Sequence, residues 1–265
     1  MKHEAPIETG ADFPVVSERQ SEIAELVRTN GVAGIDELAS HFGVSAQTIR
    51  KDVNGLCDLG LLRRFHGGVQ PVVSGNLQYQ ARQVLHLSEK QRVAAEVARA
   101  IPDGASIAVS IGTTPEMVVR ALTGHRRLKI FTNNLHVAMI ACQVDTFEVT
   151  MPGGALRPGD GDILGASAVA FFGGYKVDFG IFGVAAVDHD GGLLDFHDDE
   201  VAVRQAILRN SRESFLVLDD TKFSRRAHVR GGQIRDVSCV FCNAHPPASI
   251  ANQLQEAGVP IRVSC

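Results

Sequence analysis

Val44-Ser45-Ala46-Gln47-Thr48-Ile49-Arg50-Lys51-Asp52 is the stretch whose reading decides the N-terminal fold. Serine is a favoured helix N-cap, and Ile49, Val53 and Leu56 recur at intervals of four and three, which predicts a helix with one buried stripe. Gln47, Thr48, Arg50 and Lys51 are left on the accessible side. Upstream, Ser17-Glu18-Arg19-Gln20 has capping-box spacing and Ile23, Leu26 and Val27 form a stripe, predicting a first helix that ends at about Asn30-Gly31. A short second helix is expected over about residues 36–42, with Gly43-Val44 as the tight turn. Gly55 runs against this pattern, since glycine weakens a helix interior by about 1 kcal/mol relative to alanine; close packing at that position would account for it. Residues 61–69, which include Arg63, Arg64, His66, Gly67 and Gly68, alternate as a short hairpin. Three short helices followed by a hairpin make a winged helix-turn-helix.

The exposed residue types suit a nucleic acid. Gln and Arg can make paired hydrogen bonds to adenine and guanine edges, while Thr and Lys hold phosphates or base acceptors. Hairpin arginines suit the sugar-phosphate backbone or the minor groove. Ser45, Gln47, Thr48, Arg50, Lys51, Arg63, Arg64 and His66 are therefore the expected DNA-contacting residues. The plain alternative is a small helical module whose basic residues are merely solvated. A net charge of −4 argues against attraction of the whole chain to a polyanion, but not against a local basic patch.

With 265 residues, 45% of them hydrophobic, the chain is long enough for two ordinary domains. The expected division is a disordered tail over 1–16, a DNA-binding domain over 17–70, a linker over 71–87 and a second domain over 88–265. No apolar run approaches the roughly 20 residues that span a bilayer. The N-terminus carries Glu4, Glu8 and Asp12, unlike a signal peptide. Five scattered cysteines do not form a disulfide framework and point to a reducing compartment. A soluble, cytoplasmic protein without a membrane partner is expected. Cys239-x-x-Cys242 with His245 nearby raises zinc, yet residues three apart on a strand point to opposite faces, so core cysteines are the better reading. A metal held by His189, His197 and the neighbouring acids has little support, and neither metal nor cofactor is expected.

Beyond Pro71, Ser74 and Gly75, a helix is expected from a second capping box, Ser88-Glu89-Lys90-Gln91. Strand-like runs at 106–111, 128–131, 147–151, 179–183, 215–218, 238–241 and 261–263 then alternate with helical segments, which implies a mostly parallel sheet flanked by helices. Ligands of such sheets sit at the carboxyl ends of the strands. Three turns fall there: Ser110 and Gly112-Thr113-Thr114-Pro115, then Thr132-Asn133-Asn134, then Gly153-Gly154. Glycine admits close backbone approach, Thr and Asn supply neutral donors, and the helix expected to open at Pro115 offers free N–H groups to an anion. Asp188 and Glu200 would accept from sugar hydroxyls and Lys222 would pair with phosphate. Asp198 and Asp199 fit equally well as an acidic first helical turn. The segment 157–162, rich in Gly and Asp, reads as a flexible lid or as a simple surface loop. A phosphate-binding Gly-x-x-x-x-Gly-Lys-Ser/Thr loop, a Gly-x-Gly-x-x-Gly fingerprint opening a helix and a Gly-x-Ser-x-Gly elbow are all missing.

Val44-Ser45-x-x-Thr48-Ile49-Arg50-Lys51-Asp52 and Arg64-x-His66-Gly67-Gly68 resemble the signature of DeoR-type repressors, and the resemblance covers nearly the whole chain from about Ser17. It implies an α/β protein with an N-terminal winged helix-turn-helix domain and a C-terminal, mostly parallel α/β sugar-phosphate-sensing domain, similar in fold to ribose-5-phosphate isomerase and glucosamine-6-phosphate deaminase. The motifs Ile111-Gly112-Thr113-Thr114-Pro115-Glu116, Thr132-Asn133-Asn134-Leu135, Asp178-Phe179-Gly180-Ile181 and Leu194-Asp195-Phe196 look most like the members that respond to glycerol 3-phosphate. Such a small phosphorylated sugar or polyol is the implied effector, with operator DNA and further copies of the chain, as a dimer or tetramer, as partners. Ser110 stands where many family members have Asp, which removes a carboxylate from the expected pocket. The competing reading is a sugar-phosphate isomerase or deaminase-type enzyme, with Asp188 or Glu200 as base and Lys222 as electrostatic stabiliser. Such an enzyme has no use for Gln47, Thr48, Arg50 and the Arg63-Arg64 hairpin.

Overall fold

A computed structural model describes residues 17–65, 67–72 and 79–264. They divide into two compact units on either side of the Val72–Val73 junction. His66 and the expected tail over 1–16 lie outside the described residues.

The first unit contains α1 (Glu18–Asn30), β1 (Ala33–Gly34), α2 (Ile35–Phe42), α3 (Ala46–Asp58), β2 (Leu62–Phe65) and β3 (Gly68–Pro71). Both N-caps read from the sequence form. Ser17 Oγ accepts from the Gln20 amide at 3.2 Å while Gln20 answers by accepting from the Ser17 amide, and Ser45 Oγ accepts from the Thr48 amide at 3.1 Å. Ile23, Val27, Leu38, Ile49, Val53 and Leu56 are fully buried and make the core of this unit. Each such side chain contributes roughly 1.5–3 kcal/mol through burial. Asp52, at the end of the signature stretch, turns inward and pairs with Arg19 of α1 at 2.7 Å. Gly55 has a packing reason: a Cβ there would lie 3.0 Å from Gln20 Nε2, which donates to the Asp52 carbonyl.

β2 and β3 form the antiparallel hairpin, and β1 pairs with β3 to complete a three-stranded sheet. Gly68 makes that pairing possible, because a Cβ at this position would lie 2.4 Å from the Ala33 carbonyl oxygen.

In the second unit, α4 (Tyr79–Val84) and α5 (Leu87–Ala100) precede β4 (Ser106–Val109), α6 (Thr113–Ala121), β5 (Lys129–Thr132), α7 (Leu135–Ala141) and β6 (Glu148–Thr150). Then come α8 (Ala166–Gly173), β7 (Val177–Phe182), β8 (Ala186–Val187), β9 (Gly192–Asp195), α9 (Asp198–Asn210) and β10 (Ser211–Leu218), and finally β11 (Val229–Gln233), β12 (Cys239–Cys242), α10 (Ala248–Glu256) and β13 (Ile261–Val263). The seven expected strand runs form one sheet in the order β13-β12-β10-β7-β4-β5-β6, parallel throughout. One face packs on α5, α6 and α7; on the other, α8 and α9 cover one stretch and α10 another. Cys239 belongs to the first face and Cys242 to the second, as strand alternation requires. A second, small antiparallel sheet, β11-β9-β8, has no counterpart among the expected strand runs.

Three boundaries differ from the sequence expectation. Residues 79–84, assigned by composition to a linker over 71–87, form a packed helix with Tyr79 and Ala81 buried, and Pro71 pairs with Leu62 at the end of β3. The Ser88 capping box does not form: α5 starts one residue earlier behind His86, and the Ser88 hydroxyl donates to Glu89 instead. α6 is opened by Gly112 as N-cap rather than by Pro115.

Replacing Gly68 by alanine is expected to push β1 from β3 and to lower the stability of the first unit by about 1–3 kcal/mol, the usual cost of overpacking. Urea unfolding followed by circular dichroism checks this, and an unchanged midpoint would mean that the pairing is not needed.

Candidate functional site

On α3, Gln47, Arg50 and Lys51 are exposed, while Ile49, Asp52 and Val53 point into the unit. Ser45 is exposed but committed to capping, and Thr48 is half-buried with its hydroxyl 2.8 Å from that of Ser45. Arg63 and Arg64 are exposed on β2, and Arg64 sits beside Cys57 of α3. The described part of the unit therefore presents four cations, from the recognition-type helix and from the hairpin, together with an exposed Phe65. Four cations and a glutamine at that spacing suit a phosphate backbone with base edges behind it.

In the second unit a cavity of about 70 Å³ opens at the carboxyl ends of β4, β7 and β10. The β4–α6 turn supplies Ser110, Gly112, Thr113 and Thr114; the β7–β8 turn supplies Gly183, Val184 and Ala185. No side chain caps α6, whose N-cap is a glycine at φ 122°, so its first turn presents backbone amides and the positive end of the helix dipole. Arg82 of α4 and Lys222 and Arg225, both downstream of β10, add cationic side chains to the wall.

These charges act on one another. Burial pushes the Lys222 ammonium below its ordinary value; Arg225 and Arg82 push the same way, while Asp219 opposes them. Burial also lowers Arg225, with Arg82 adding to the effect and Asp219 resisting. Behind the wall, the buried Lys90 is pushed down to about 7 by desolvation, which Asp219 only partly offsets. The acids on the wall are already engaged. Asp195 accepts from Arg204 at 3.0 Å and from the Ala185 amide at 3.0 Å, and Glu200 pairs with Arg157 at 2.9 Å.

Six of the sequence-derived effector residues thus meet at the cavity: Ser110, Gly112, Thr113, Thr114, Glu200 and Lys222. The others lie elsewhere. Thr132, Asn133 and Asn134 are fully buried: the Thr132 hydroxyl donates to the Val109 carbonyl, Asn133 Nδ2 donates to the Ile163 carbonyl, and Asn134 Oδ1 caps α7. Gly153 and Gly154 are exposed and do not line the cavity. Asp188 faces away, accepting from His189 at 2.8 Å with Arg230 at 3.5 Å. The 157–162 segment is pinned rather than free, since Arg157 makes a two-pronged pair with the fully buried Asp162 at 2.7 and 2.9 Å.

The description DeoR-like helix-turn-helix domain matches residues 19–74, and DeoR C terminal sensor domain matches residues 85–244. The chain belongs to the DeoR family. The Haemophilus influenzae glycerol-3-phosphate regulon repressor is 44% identical over 90% of this chain and 93% of its own, and the Escherichia coli protein of that name is 40% identical over 93% and 98%. The E. coli transcriptional repressor CsqR is 38% identical over 92% and 94%. Among solved structures, ribose 5-phosphate isomerase A of Methanocaldococcus jannaschii aligns over 52% of this chain and 55% of its own, at 17% identity and a TM-score of 0.39. This DeoR-family chain is a DNA-binding repressor, and the isomerase or deaminase reading is not favoured.

The cavity residues missed in the sequence, Arg82, Gly183, Ala185, Asp195, Phe196, Arg204 and Arg225, come largely from elements whose neighbours only the sheet order reveals. Asp195 and Phe196 fall in the Leu194-Asp195-Phe196 motif, to which the sequence alone assigns no role.

Lys90 provides a pH test of this DeoR sensor unit. The unfolded chain keeps Lys90 protonated up to about its ordinary 10.5, while the folded chain releases that proton at about 7. Between those values the unfolded state binds more protons, so the Lys90 contribution to stability rises with pH. Stability should gain about 2 kcal/mol from this group between pH 7 and 9, and Lys90→Met should flatten the rise by that amount. Urea midpoints at the two pH values decide it; equal slopes in the two proteins would exclude a depressed Lys90.

Proposed function

We propose that this repressor binds operator DNA as a homo-oligomer, dimer or tetramer, in the cytoplasm and releases it when glycerol 3-phosphate or a similar small phosphorylated polyol fills the cavity. The observation that carries this reading is the gathering of Arg82, Lys222 and Arg225 around the uncapped start of α6. An anion placed there meets backbone amides, a helix dipole and three cationic side chains, and it offsets the burial, and the lesser repulsion from Arg225 and Arg82, that depress Lys222. Phosphate fits better than carboxylate because it offers more oxygens and more charge to this set. The Haemophilus influenzae and Escherichia coli relatives are named for the glycerol-3-phosphate regulon, which supports a glycerol phosphate. Ser110, Asp195 and Glu200 stand on the same wall for the hydroxyl end of the ligand.

Gln47, Arg50 and Lys51 read the DNA, with Arg63 and Arg64 on the flanking backbone; His66 is assigned there from the sequence motif alone. One recognition helix covers only a short half-site, so a symmetric oligomer on paired half-sites supplies the rest of the affinity. Ligand that prefers the released conformation lowers operator affinity by its differential binding, about 1–3 kcal/mol or roughly 5- to 150-fold.

Operator-fragment binding titrated with phosphorylated C3 to C6 metabolites at fixed salt tests the switch; a panel without any effect on specific binding would end it. Lys222→Met should abolish the response and leave ligand-free operator binding intact, and normal release by this variant would make Lys222 structural. Arg50→Ala should weaken specific operator binding by about 1–3 kcal/mol. Unchanged affinity would remove Arg50 from the interface.

A further inference from the structure

Arg82 belongs to the cavity wall and also to α4, the first described helix after the DNA-binding unit, with only residues 73–78 between that helix and Val72. Its guanidinium is half-satisfied. One terminal nitrogen pairs with Asp160 of the pinned 157–162 segment, and the group lies 5.3 Å from the Tyr79 ring centroid. Arg82 Nε is buried and has no hydrogen-bond partner among the described residues. A buried donor left unpaired is costly, and a guanidinium that engages an oxyanion through Nε and a terminal nitrogen together makes the two-pronged geometry it is best suited to.

The α4 helix is held at both ends, by α6, whose first turn lines the cavity, and by α5. At its start, the Tyr79 hydroxyl donates to Glu116 of α6 at 2.6 Å. At its end, Lys90 Nζ of α5 donates to the carbonyls of Arg82 and Leu85, the latter at 2.6 Å. A change in the partner of Arg82 is therefore applied to a short helix clamped to α5 and α6.

We infer that Arg82 is an effector-binding residue, and that α4 relays occupancy of the cavity towards the DNA-binding unit because a bound phosphate replaces Asp160 as the Arg82 partner. This rests on the cavity taking a phosphorylated ligand. The phosphate satisfies Nε, which Asp160 leaves unpaired, and it draws the guanidinium towards the α6 amides. Asp160 then keeps Arg157 as its cation, at 3.3 Å.

The test measures ligand binding and operator release separately on the full chain, with glycerol 3-phosphate and inorganic phosphate as calorimetric probes and fluorescence anisotropy of an operator fragment. Asp160→Asn removes the competing carboxylate without altering the cavity wall. It should tighten ligand binding about two- to fivefold, the scale of a partly exposed ion pair, and shift half-release of the operator to correspondingly lower ligand concentration. Arg82→Lys keeps the charge but not the fork. It should bind ligand about tenfold more weakly and, at saturation, show less than half of the wild-type loss of operator affinity, each protein being measured against its own ligand-free operator affinity. Full release by saturated Arg82→Lys, or an Asp160→Asn protein that matches wild type in both measurements, overturns the inference. Should Arg82→Lys bind neither probe, the Asp160→Asn shift decides alone. Wild-type protein that binds neither probe overturns the cavity reading itself, a result distinct from wild type that binds while Arg82→Lys still releases.

Discussion

The sensor unit depends on a close approach in the middle of its sheet. Gly180 of β7 lies so near the neighbouring layer that a Cβ there would fall 2.2 Å from Ser211 Oγ and 3.0 Å from Ile207 Cγ2. With no side chain in the way, β7 settles between β4 and β10, in register with both: Ala108 beside Gly180 beside Ser214. The chain has by then built β5 and β6 on the other side of β4, so its direction of growth reverses at the β4–β7 boundary. The strand ends on either side of that boundary diverge into different connections and leave room between them. The β4–α6 turn, the β7–β8 turn and the segment after β10 border that space, and the small β11-β9-β8 sheet brings Asp195 and Phe196 to its rim.

The same geometry explains which parts of the site were legible in the sequence. Helix caps and stripes are local, so Ser17, Ser45 and the Ile49-Val53-Leu56 stripe were placed correctly, and seven apolar runs became the seven strands of one parallel sheet. The cavity is not local. Reading strands in chain order suggested that the turns after β4, β5 and β6 would converge, but β4 has β5 on one side and β7 on the other. Only the first of the three turns reaches the cavity, and the polar residues of the second are spent on tying β5 to β4 and to residue 163 and on capping α7. Asp188 misled for a related reason: it looks like a strand-end carboxylate, whereas the strand before it is a short piece of the antiparallel sheet that turns it towards Arg230. Arg82 was hidden by composition, since the Pro, Ser and Gly of the preceding segment made the whole of 71–87 look like linker.

Charge in the sensor unit is arranged asymmetrically around the cavity. The acids of the wall have cations of their own, Arg204 for Asp195 and Arg157 for Glu200, so they offset little of the charge that the cavity presents. Asp219, almost wholly buried, is the main counterweight, and despite its burial Lys222, Thr221 and Lys90 hold its carboxyl below the usual range. Asp219 acts on Lys90, Lys222 and Arg225 together, with Glu116 adding at Lys90 and Asp195 at Lys222, and burial still holds all three below their ordinary values. Desolvated like charges raise the free energy of such a site, and the proposed anionic ligand would recover that energy on binding.

A division of labour within the proposed ligand follows from this asymmetry. A neutral polyol can exchange hydrogen bonds with the wall but leaves the repulsion among Arg82, Lys222 and Arg225 intact, so most of the affinity comes from the phosphate. The hydroxyls then select among phosphorylated compounds, and they do so against groups that are already oriented: Asp195 is held by Arg204 and the Ala185 amide, Glu200 by Arg157. Ser110 differs from these because its hydroxyl both donates and accepts and carries no charge. A carboxylate in its place would add an acceptor at the edge of the phosphate site, opposing the anion while gripping a hydroxyl. In the proposed complex serine removes that opposition, and recognition at this position would then rest less on the hydroxyl pattern and more on the phosphate.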